Sequence, residues 1–382
     1  MKVLSIDDRE MDIKGIRDCC KENGWEFQWK TFDEDYYKVI MENDPDVVVL
    51  DWFDGLDQDK DEGNIIFNSI WENGYRPIVV FSGQADRIAI DNQMQESNLL
   101  QKIPKGDDEI ITEYLRNNEA YFETLSDFRK KVGKTIISSV NAIEPLKRIE
   151  KEFVGKDKLE YILAKRMVNV FDLETLNIDL PEWGMYIYPP VSNSLQTGDV
   201  IRAIDSNAGL DEVAEADKYR VIISQSCDLA HSKTEAVVCL KCKSIEEGIF
   251  KSLKTKASCS IGKAKEIDKE GKKKISDLII KNFLSSSMNA GFFQQWGILP
   301  ELKGVCPDMS VDLKNVELVS FDKISKNFEA SEGCQYYRVA SIDAQYVSQL
   351  VWGYMQNSCR PGVPDRSVEE WAERILSGLI EE

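Results

Sequence analysis

The sequence predicts an α/β fold for the first third of the chain, then a helical stretch, then an α+β domain with a β-rich centre. Two observations predict the α/β part. Short apolar runs rich in β-branched residues recur along it, which is typical of strands buried on both faces of a parallel sheet. A polar residue follows each run, where the strand would end. The runs are Met1–Ile6, Val47–Leu50, Pro77–Phe81 and Leu99–Pro104.

The residues that follow these runs are acids, a hydroxyl and an ammonium. Asp7 and Asp8 follow the first run, Asp51 the second, Ser82 the third and Lys105 the fourth. Because ligands of open α/β sheets bind at the carboxyl ends of the strands, we expect one pocket here. Crowded carboxylates need a cation, and their hard oxygens suit Mg²⁺. A carboxylate can also act as a nucleophile that forms an acyl phosphate, whose oxygens a lysine and a serine would stabilise.

This arrangement resembles the receiver domain of bacterial two-component response regulators in residue type, order and spacing. The resemblance implies a flavodoxin-like fold with a five-stranded parallel sheet. It implies that Asp51 is the phosphoacceptor and that Asp7, Asp8 and Asp51 bind Mg²⁺. Ser82 would be the switch hydroxyl, and Lys105 would contact the phosphoryl group. A sensor histidine kinase or a phosphotransfer protein would donate the phosphate. The alternative is a degenerate receiver that serves as a docking scaffold.

Two lysines are candidates for the contact with the phosphoryl group, and one of them also bears on how the receiver would pass on its signal. Lys102 precedes Ile103-Pro104, whereas Lys105 follows them, and the distance from Ser82 favours Lys105. Receivers usually have an aromatic residue on the fifth strand that turns inward when phosphate binds. Here that position holds Lys102, or Leu99 in the other register. We therefore expect the signal to leave through the helical connector instead.

Chain length and composition limit the kind of protein this can be. The chain of 382 residues is long enough for two or three domains. It enters a strand at once, which leaves no room for a signal peptide, and no run approaches the roughly twenty apolar residues of a membrane span. We therefore expect a cytoplasmic protein that does not bind membranes, with its nine cysteines mostly reduced.

The charge distribution bears on nucleic acid as a partner. A formal net charge of −19 argues against general nucleic-acid coating. Residues 251–281 form a lysine-rich segment that a nucleic acid or an acidic partner could bind. The segment lacks interleaved aromatic residues and arginines, so a solvated surface is the favoured interpretation.

Apolar residues at helical spacing continue beyond the first domain. The spacing predicts a helix with a break near Gly133 and a second helical segment over residues 145–177. An amphipathic connector of this kind either pairs with a second copy, as a homodimer, or packs within the monomer. The predicted organisation is a receiver over 1–125, a helical connector over 126–180 and an α+β output domain over 181–382.

Turn signals divide the output domain into short strands and several helices. Its last helix should begin at the capping box Ser367-x-x-Glu370. Two earlier helices are expected over Ile275–Ser287 and Ala344–Gln356. The predicted strands are Gly184–Tyr188, Val200–Ile204, Tyr219–Ser224, Ala236–Leu240 and Val316–Phe321.

The output domain offers one constellation with chemical potential, Cys227-Asp228 followed by His231, the only histidine of the chain. One hypothesis is a Zn²⁺ site of Cys227, His231, Cys239 and Cys242, although cysteines three apart on a strand face opposite sides. A second is a Cys227 nucleophile activated by His231, as in an enzymatic effector such as a stress or defence protein. The third is structural: a buried cysteine in an ordinary loop that Asp228 caps.

Overall fold

The computed structural model describes residues 1–32, 36–52, 62–72, 76–85, 88, 99–106, 108–149, 156–175, 179–204, 213–255, 269–358 and 372–375. The chain divides into two compact units, Met1–Ile178 and Asp179–Glu382. Within the described parts, no helix has the length and apolar character that crossing a membrane requires.

The first unit contains a parallel sheet of five strands in the order β2-β1-β3-β4-β5. This is the flavodoxin-like order, so the predicted α/β fold is confirmed. All pairs between neighbouring strands are parallel. The strands are β1 (Lys2–Ile6), β2 (Glu26–Lys30), β3 (Val47–Leu50), β4 (Ile78–Ser82) and β5 (Leu100–Pro104).

Helices cover both faces of this sheet, because the strands alternate apolar side chains between two cores. The described helices around the sheet are α1 (Lys14–Asn23), α2 (Tyr36–Asn43), α3 (Glu62–Glu72) and α4 (Asp108–Asn117). One core joins the sheet to α2 and α3 and includes Leu4, Leu50, Val80, Ile40 and Ile66. The opposite core joins it to α1 and α4 and includes Val3, Val49, Phe81, Ile16 and Leu115.

Two long helices, α5 (Glu119–Ile149) and α6 (Lys156–Thr175), follow the sheet. The predicted break near Gly133 is wrong, because α5 runs through it. A single interior glycine costs a helix only about 1 kcal/mol relative to alanine, and long flanking helical sequence outweighs that cost. The rings of Phe128 and Phe171 lie 5.8 Å apart and join the two helices. Ile136 and Val140 of the apolar stripe remain exposed, and pairing of two copies stays a prediction.

The second unit has a β-rich centre, as predicted: a sheet of nine strands in the order β10-β11-β12-β9-β8-β7-β14-β13, with β6 beside β14. The pairs are antiparallel except that of β13 with β14. The strands are β6 (Tyr186–Ile187), β7 (Asp199–Ala203), β8 (Tyr219–Ile222), β9 (Ala236–Ser244), β10 (Phe292–Phe293), β11 (Trp296–Leu299), β12 (Met309–Ser320), β13 (Ile324–Ser325) and β14 (Tyr336–Ile342).

Several elements of this unit differ in extent from their predictions. The region predicted as a strand from Gly184 is a 3₁₀ turn over Glu182–Met185 before β6. The strand predicted over Val316–Phe321 is the second half of β12. The capping box and residues 256–268 of the lysine-rich segment lie outside the described residues. The helices are α7 (Ser226–Ala230), α8 (Lys269–Ala290) and α9 (Ala344–Ser358). A π-helical turn over Glu246–Phe250 continues as a helix over 251–255, and a further helical piece lies at 372–375.

Candidate functional site

The acids that follow β1 and β3 are held by a continuation of the strand ladders. The Asp7 amide donates to the Lys30 carbonyl at 3.0 Å, and the Asp51 amide donates to the Ile6 carbonyl at 2.9 Å. On the other side, the Lys105 amide donates to the carbonyl of Ser82 at 3.1 Å. Because the backbone stays paired one residue beyond each strand, the side chains that follow are fixed at one edge of the sheet.

Lys105 is the centre of this group. Its Nζ lies 2.6 Å from Asp51 Oδ2, 2.8 Å from Asp7 Oδ2 and 3.0 Å from Asp12 Oδ2. An ammonium has three donors, so these carboxylates use all of them. The Lys102 Nζ instead donates to the Ile88 carbonyl at 3.2 Å. Of the two lysines, the structure therefore brings Lys105 to the acids.

Asp12 also belongs to this group, although its sequence position did not predict it. It lies in the turn before α1, where no strand ends, and so the strand-end pattern could not find it. Its carboxylate also pairs with Arg9, whose Nη2 is 2.7 Å from Oδ2. An acid just before the first helix, close in sequence to Asp7 and Asp8, was the available signal. Asp12 thus links Lys105 to the exposed guanidinium of Arg9.

Burial governs the electrostatics of the group. Burial raises the pKa of Asp7 to about 6, although hydrogen bonds from Lys105 and from the Arg9 amide act in the opposite direction. For Lys105, burial alone would lower the pKa, but the hydrogen bonds and charges of Asp51 and Asp7 outweigh it and raise the pKa. A carboxylate pKa near 6 beside a lysine indicates that one ammonium does not fully stabilise the buried negative charge.

The donor set fits a small hard cation. Ligand oxygens of Asp7, Asp8 and Asp51 lie within 4.8 Å of one another. Asp7 and Asp51 are buried and Asp8 is half-buried, so bulk water screens their charges only in part. All three offer carboxylate oxygens, which Mg²⁺ prefers over nitrogen or sulfur. Across the described ranges, this is the one cluster of acids, cysteines or histidine with such spacing.

The backbone after Asp51 is fixed by a glycine. The Trp52 amide donates to Asp51 Oδ1 at 2.8 Å and so orients the carboxylate. In turn, the Gly63 amide donates to the Trp52 carbonyl at 3.2 Å. A Cβ atom at Gly63 would overlap the Trp52 backbone, so only glycine fits this approach without a shift. Gly63 therefore supports the position of Asp51 through Trp52.

The candidate residues of the second unit lie on and beside α7. Cys227 and His231 are exposed, and Asp228 is half-buried. Cys227 Sγ lies 3.7 Å from Gln225 Oε1 and 3.7 Å from Asp228 Oδ1. The hydrogen bond that joins Cys227 and His231 is between backbone atoms. The predicted cap by the Asp228 side chain does not form. Gln225 occupies the N-cap position of α7 and makes no side-chain hydrogen bond there. The thiol and the imidazole are not assembled as a pair.

The cysteines of β9 do not complete a zinc site. Cys239 packs in one core of the second unit and Cys242 in a different one, because residues three apart on a strand face opposite sides. Burial raises the pKa of each thiol to about 12, which disfavours the thiolate that zinc requires. Together with the exposed positions of Cys227 and His231, this leaves the Zn²⁺ hypothesis unsupported.

Comparisons with known proteins reach only part of the chain. No protein-family model matches it. No curated protein matches it either. The N-terminal domain of a response regulator/sensory box/GGDEF protein from Carboxydothermus hydrogenoformans is similar at 14% identity, over 32% of this chain and 98% of that one, with a TM-score of 0.26.

Two further solved structures give the same picture. The anti-anti-sigma factor PhyR from Bartonella quintana is similar at 16% identity over 32% of this chain and 50% of that one, with a TM-score of 0.25. A response regulator from Hahella chejuensis has 18% identity over 32% of this chain and 93% of that one, with a TM-score of 0.23. At these values the fold assignment depends on the strand order itself. The first unit resembles response regulator receiver domains, and the second unit is not recognised.

Proposed function

We propose that the first unit is a receiver that is phosphorylated on Asp51 and so controls the second unit. The observation that carries the proposal is the 2.6 Å contact between Lys105 Nζ and Asp51 Oδ2 within a cluster of acids. A lysine used only to balance charge at the surface would stay solvated. This one is buried against the carboxylate, where it can follow a phosphoryl group added to Asp51.

The chemistry assigned to Asp51 is nucleophilic. A carboxylate oxygen would form a bond to phosphorus, while the bond between phosphorus and the donor's leaving group breaks and its electron pair stays with that group. Trp52 and Lys105 each occupy one lone pair of an Asp51 oxygen, and each oxygen has a second. Lys105 and the Ser82 hydroxyl would then stabilise the added phosphoryl oxygens.

Mg²⁺ is the cation that this site would use. Asp7, Asp8 and Asp51 would hold it, and when bound it would neutralise charge on the phosphoryl oxygens. The sensor histidine kinase or phosphotransfer protein expected as the donor, and a cytoplasmic location, belong to the same proposal. The output would pass through the helices α5 and α6, because Lys102 is held by the carbonyl of Ile88 and offers no aromatic switch on β5.

The test is intact-mass analysis after incubation with acetyl phosphate and Mg²⁺. Wild type should gain a single phosphate that hydroxylamine removes, as an acyl phosphate requires, and Asp51→Asn should gain none. Lys102→Met is the matched control for Lys105→Met and should still be phosphorylated. Phosphate on Asp51→Asn would show that Asp51 is the wrong residue. Phosphate on neither protein, even with excess donor, would favour the docking scaffold.

A further inference from the structure

Arg202 in the second unit has an unusual environment for an arginine. It lies on β7, in register with Tyr337 of β14 on one side and Tyr219 of β8 on the other. Only 6% of the residue is exposed. Among the residues that the structure describes, none accepts a hydrogen bond or forms an ion pair with its guanidinium. The hydroxyl of Tyr219 donates instead to the Val305 carbonyl at 2.9 Å.

Arg338, one residue beyond Tyr337, shows how this unit satisfies a structural arginine. Its Nη1 donates to the Ser194 carbonyl at 3.0 Å and lies 3.4 Å from Asp199 Oδ2. Its Nη2 donates to the Ser192 carbonyl at 2.7 Å. Every nitrogen of Arg338 thus has a partner, since Nε also donates to the Lys326 carbonyl at 3.3 Å. Arg338 therefore serves a structural role, and Arg202 differs from it because no described residue accepts a hydrogen bond from its guanidinium.

A buried cation without a protein partner is costly unless water or a ligand accepts its hydrogen bonds. Arg202 lines a cavity of about 530 Å³, which is within the usual range for small-molecule sites. Polar groups of Asn193, Asn327 and Lys326 also line this cavity. Its lining includes one acid, the exposed side chain of Glu329. The lining therefore has a net positive charge in a chain whose formal charge is −19.

Aromatic rings form another part of the wall. The rings of Phe328 and Tyr337 meet edge to face, with centroids 5.1 Å apart at 76°. Tyr188, which is 58% exposed, also lines the cavity. A cationic group beside accessible aromatic faces is a combination that binds a planar or apolar group joined to an anion.

We propose that this cavity binds a small organic anion, with its phosphoryl or carboxylate group on Arg202 and a planar or apolar part against Phe328 and Tyr188. The site is independent of the receiver chemistry proposed above. It gives the second unit a ligand of its own, so that the protein would respond to a small molecule as well as to phosphorylation.

The test compares the Asp51→Asn protein, as the parent, with Arg202→Met and with the charge-matched control Lys314→Met, whose lysine is exposed on β12. Thermal unfolding and calorimetric titration use inorganic phosphate, citrate and adenosine monophosphate, with adenosine as the neutral probe. Every protein carries Asp51→Asn, and EDTA is present, so that binding at the receiver does not contribute. Ionic strength is held constant with sodium chloride.

We expect the anions to stabilise the parent and Lys314→Met, and to bind Arg202→Met at least about tenfold more weakly. Without anions, Arg202→Met should unfold at the same temperature as the parent or higher, because an unpaired buried charge has been removed. Adenosine monophosphate should bind more tightly than inorganic phosphate. If Arg202→Met fails to fold, Arg202→Lys should fold and bind more weakly.

Four results would overturn the proposal. Equal stabilisation of all three proteins would indicate a general salt effect. A parent that none of the anions stabilises would have no anion site. An Arg202→Met variant that is less stable but binds normally would make Arg202 a structural residue. Binding of adenosine as tight as that of its monophosphate would show that the anionic group does not contact Arg202.

Discussion

Lys105 Nζ lies 2.8 Å from Asp7 Oδ2, and burial nevertheless raises the pKa of Asp7 to about 6. Burial is the largest cause of the raised pKa, and the charge of Asp51 raises it further. The Lys105 ammonium is also shared among three carboxylates, since it contacts Asp51 and Asp12 as well. The carboxylates of this group therefore carry more negative charge than the single ammonium of Lys105 neutralises. This imbalance is what a bound cation would correct, and Lys105 offsets part of it through its three contacts.

Lys105→Met should destabilise the first unit by about 3 kcal/mol near neutral pH, since the remaining buried carboxylates would lose their cation and repel one another. Carboxyl groups whose folded pKa is raised stabilise the fold only when protonated, so the loss should shrink as pH falls. Urea unfolding at about pH 8 and about pH 5 measures this difference. Mg²⁺ should restore more stability to the variant than to wild type.

Lys102→Met is the control for this experiment, because among the described residues Lys102 contacts a backbone carbonyl and no carboxylate. Its effect should be smaller and independent of pH. An equal loss of stability for Lys105→Met at both pH values would mean that packing, and not charge, explains the contribution of Lys105.

Gly63→Ala should cost about 1–3 kcal/mol, because the added methyl group overlaps the backbone of Trp52. It should also slow phosphorylation by acetyl phosphate, since the Trp52 amide holds Asp51 Oδ1. Denaturant unfolding and the rate of mass increase measure the two effects. Gly83→Ala is the matched control, since no described atom lies within 4 Å of its added Cβ. An unchanged rate of phosphorylation in Gly63→Ala would show that Gly63 does not support the position of Asp51.

The sequence indicated strands most clearly where both faces of a strand are buried. Val47–Leu50 is apolar throughout and became β3. The edge strand β2 (Glu26–Lys30) was not predicted, because its polar residues reflect a position with one neighbour. The first half of β12 was also missed, since buried Ser310 and Asp312 interrupt its apolar pattern. Their partners, the Ile249 amide and Lys243, come from distant parts of the chain.

The same limit applies to the sites. Asp7, Asp51 and Lys105 could be chosen because each follows a strand, and parallel strands end at one edge. Asp12 and Arg202 carry no such positional signal. Asp12 is recruited through Lys105. Arg202 stands out only because it is buried and no described residue accepts a hydrogen bond from it. The absence of a partner is a property of the fold that spacing along the sequence does not express.

Thiol labelling should separate the exposed cysteine of α7 from those of the sheet. We expect iodoacetamide at about pH 8 to modify Cys227 in the native protein and to leave Cys239 and Cys242 unmodified, because burial raises both of their pKa values to about 12. Peptide mass spectrometry before and after unfolding identifies the modified residues. Cys227→Ser is the control. If Cys227 is protected from labelling and a chelator removes that protection, the result would support a metal site at Cys227.

Asp44→Asn should weaken the first unit in a way that depends on pH. Burial would raise the pKa of Asp44, but the charges of Arg129, Arg76 and Lys130 outweigh it and lower the pKa below its usual value. A carboxylate with a lowered folded pKa stabilises the fold above the unfolded pKa of about 3.9, and this contribution disappears as pH falls through the folded pKa. Asparagine tolerates the backbone φ of 43° at this position, so the substitution removes mainly the charge.

The measurement is urea unfolding of wild type and Asp44→Asn at about pH 7 and about pH 3. The difference between the two proteins should be larger at the higher pH than at the lower one. High salt should narrow the difference at neutral pH, because Asp44 is partly exposed. Glu42→Gln is the control, since its carboxylate lies 3.9 Å from Lys38 in an exposed pair and should contribute little. A difference that persists unchanged at acid pH would assign the role of Asp44 to its backbone, and the attachment of α5 through Arg129 would then depend on packing instead.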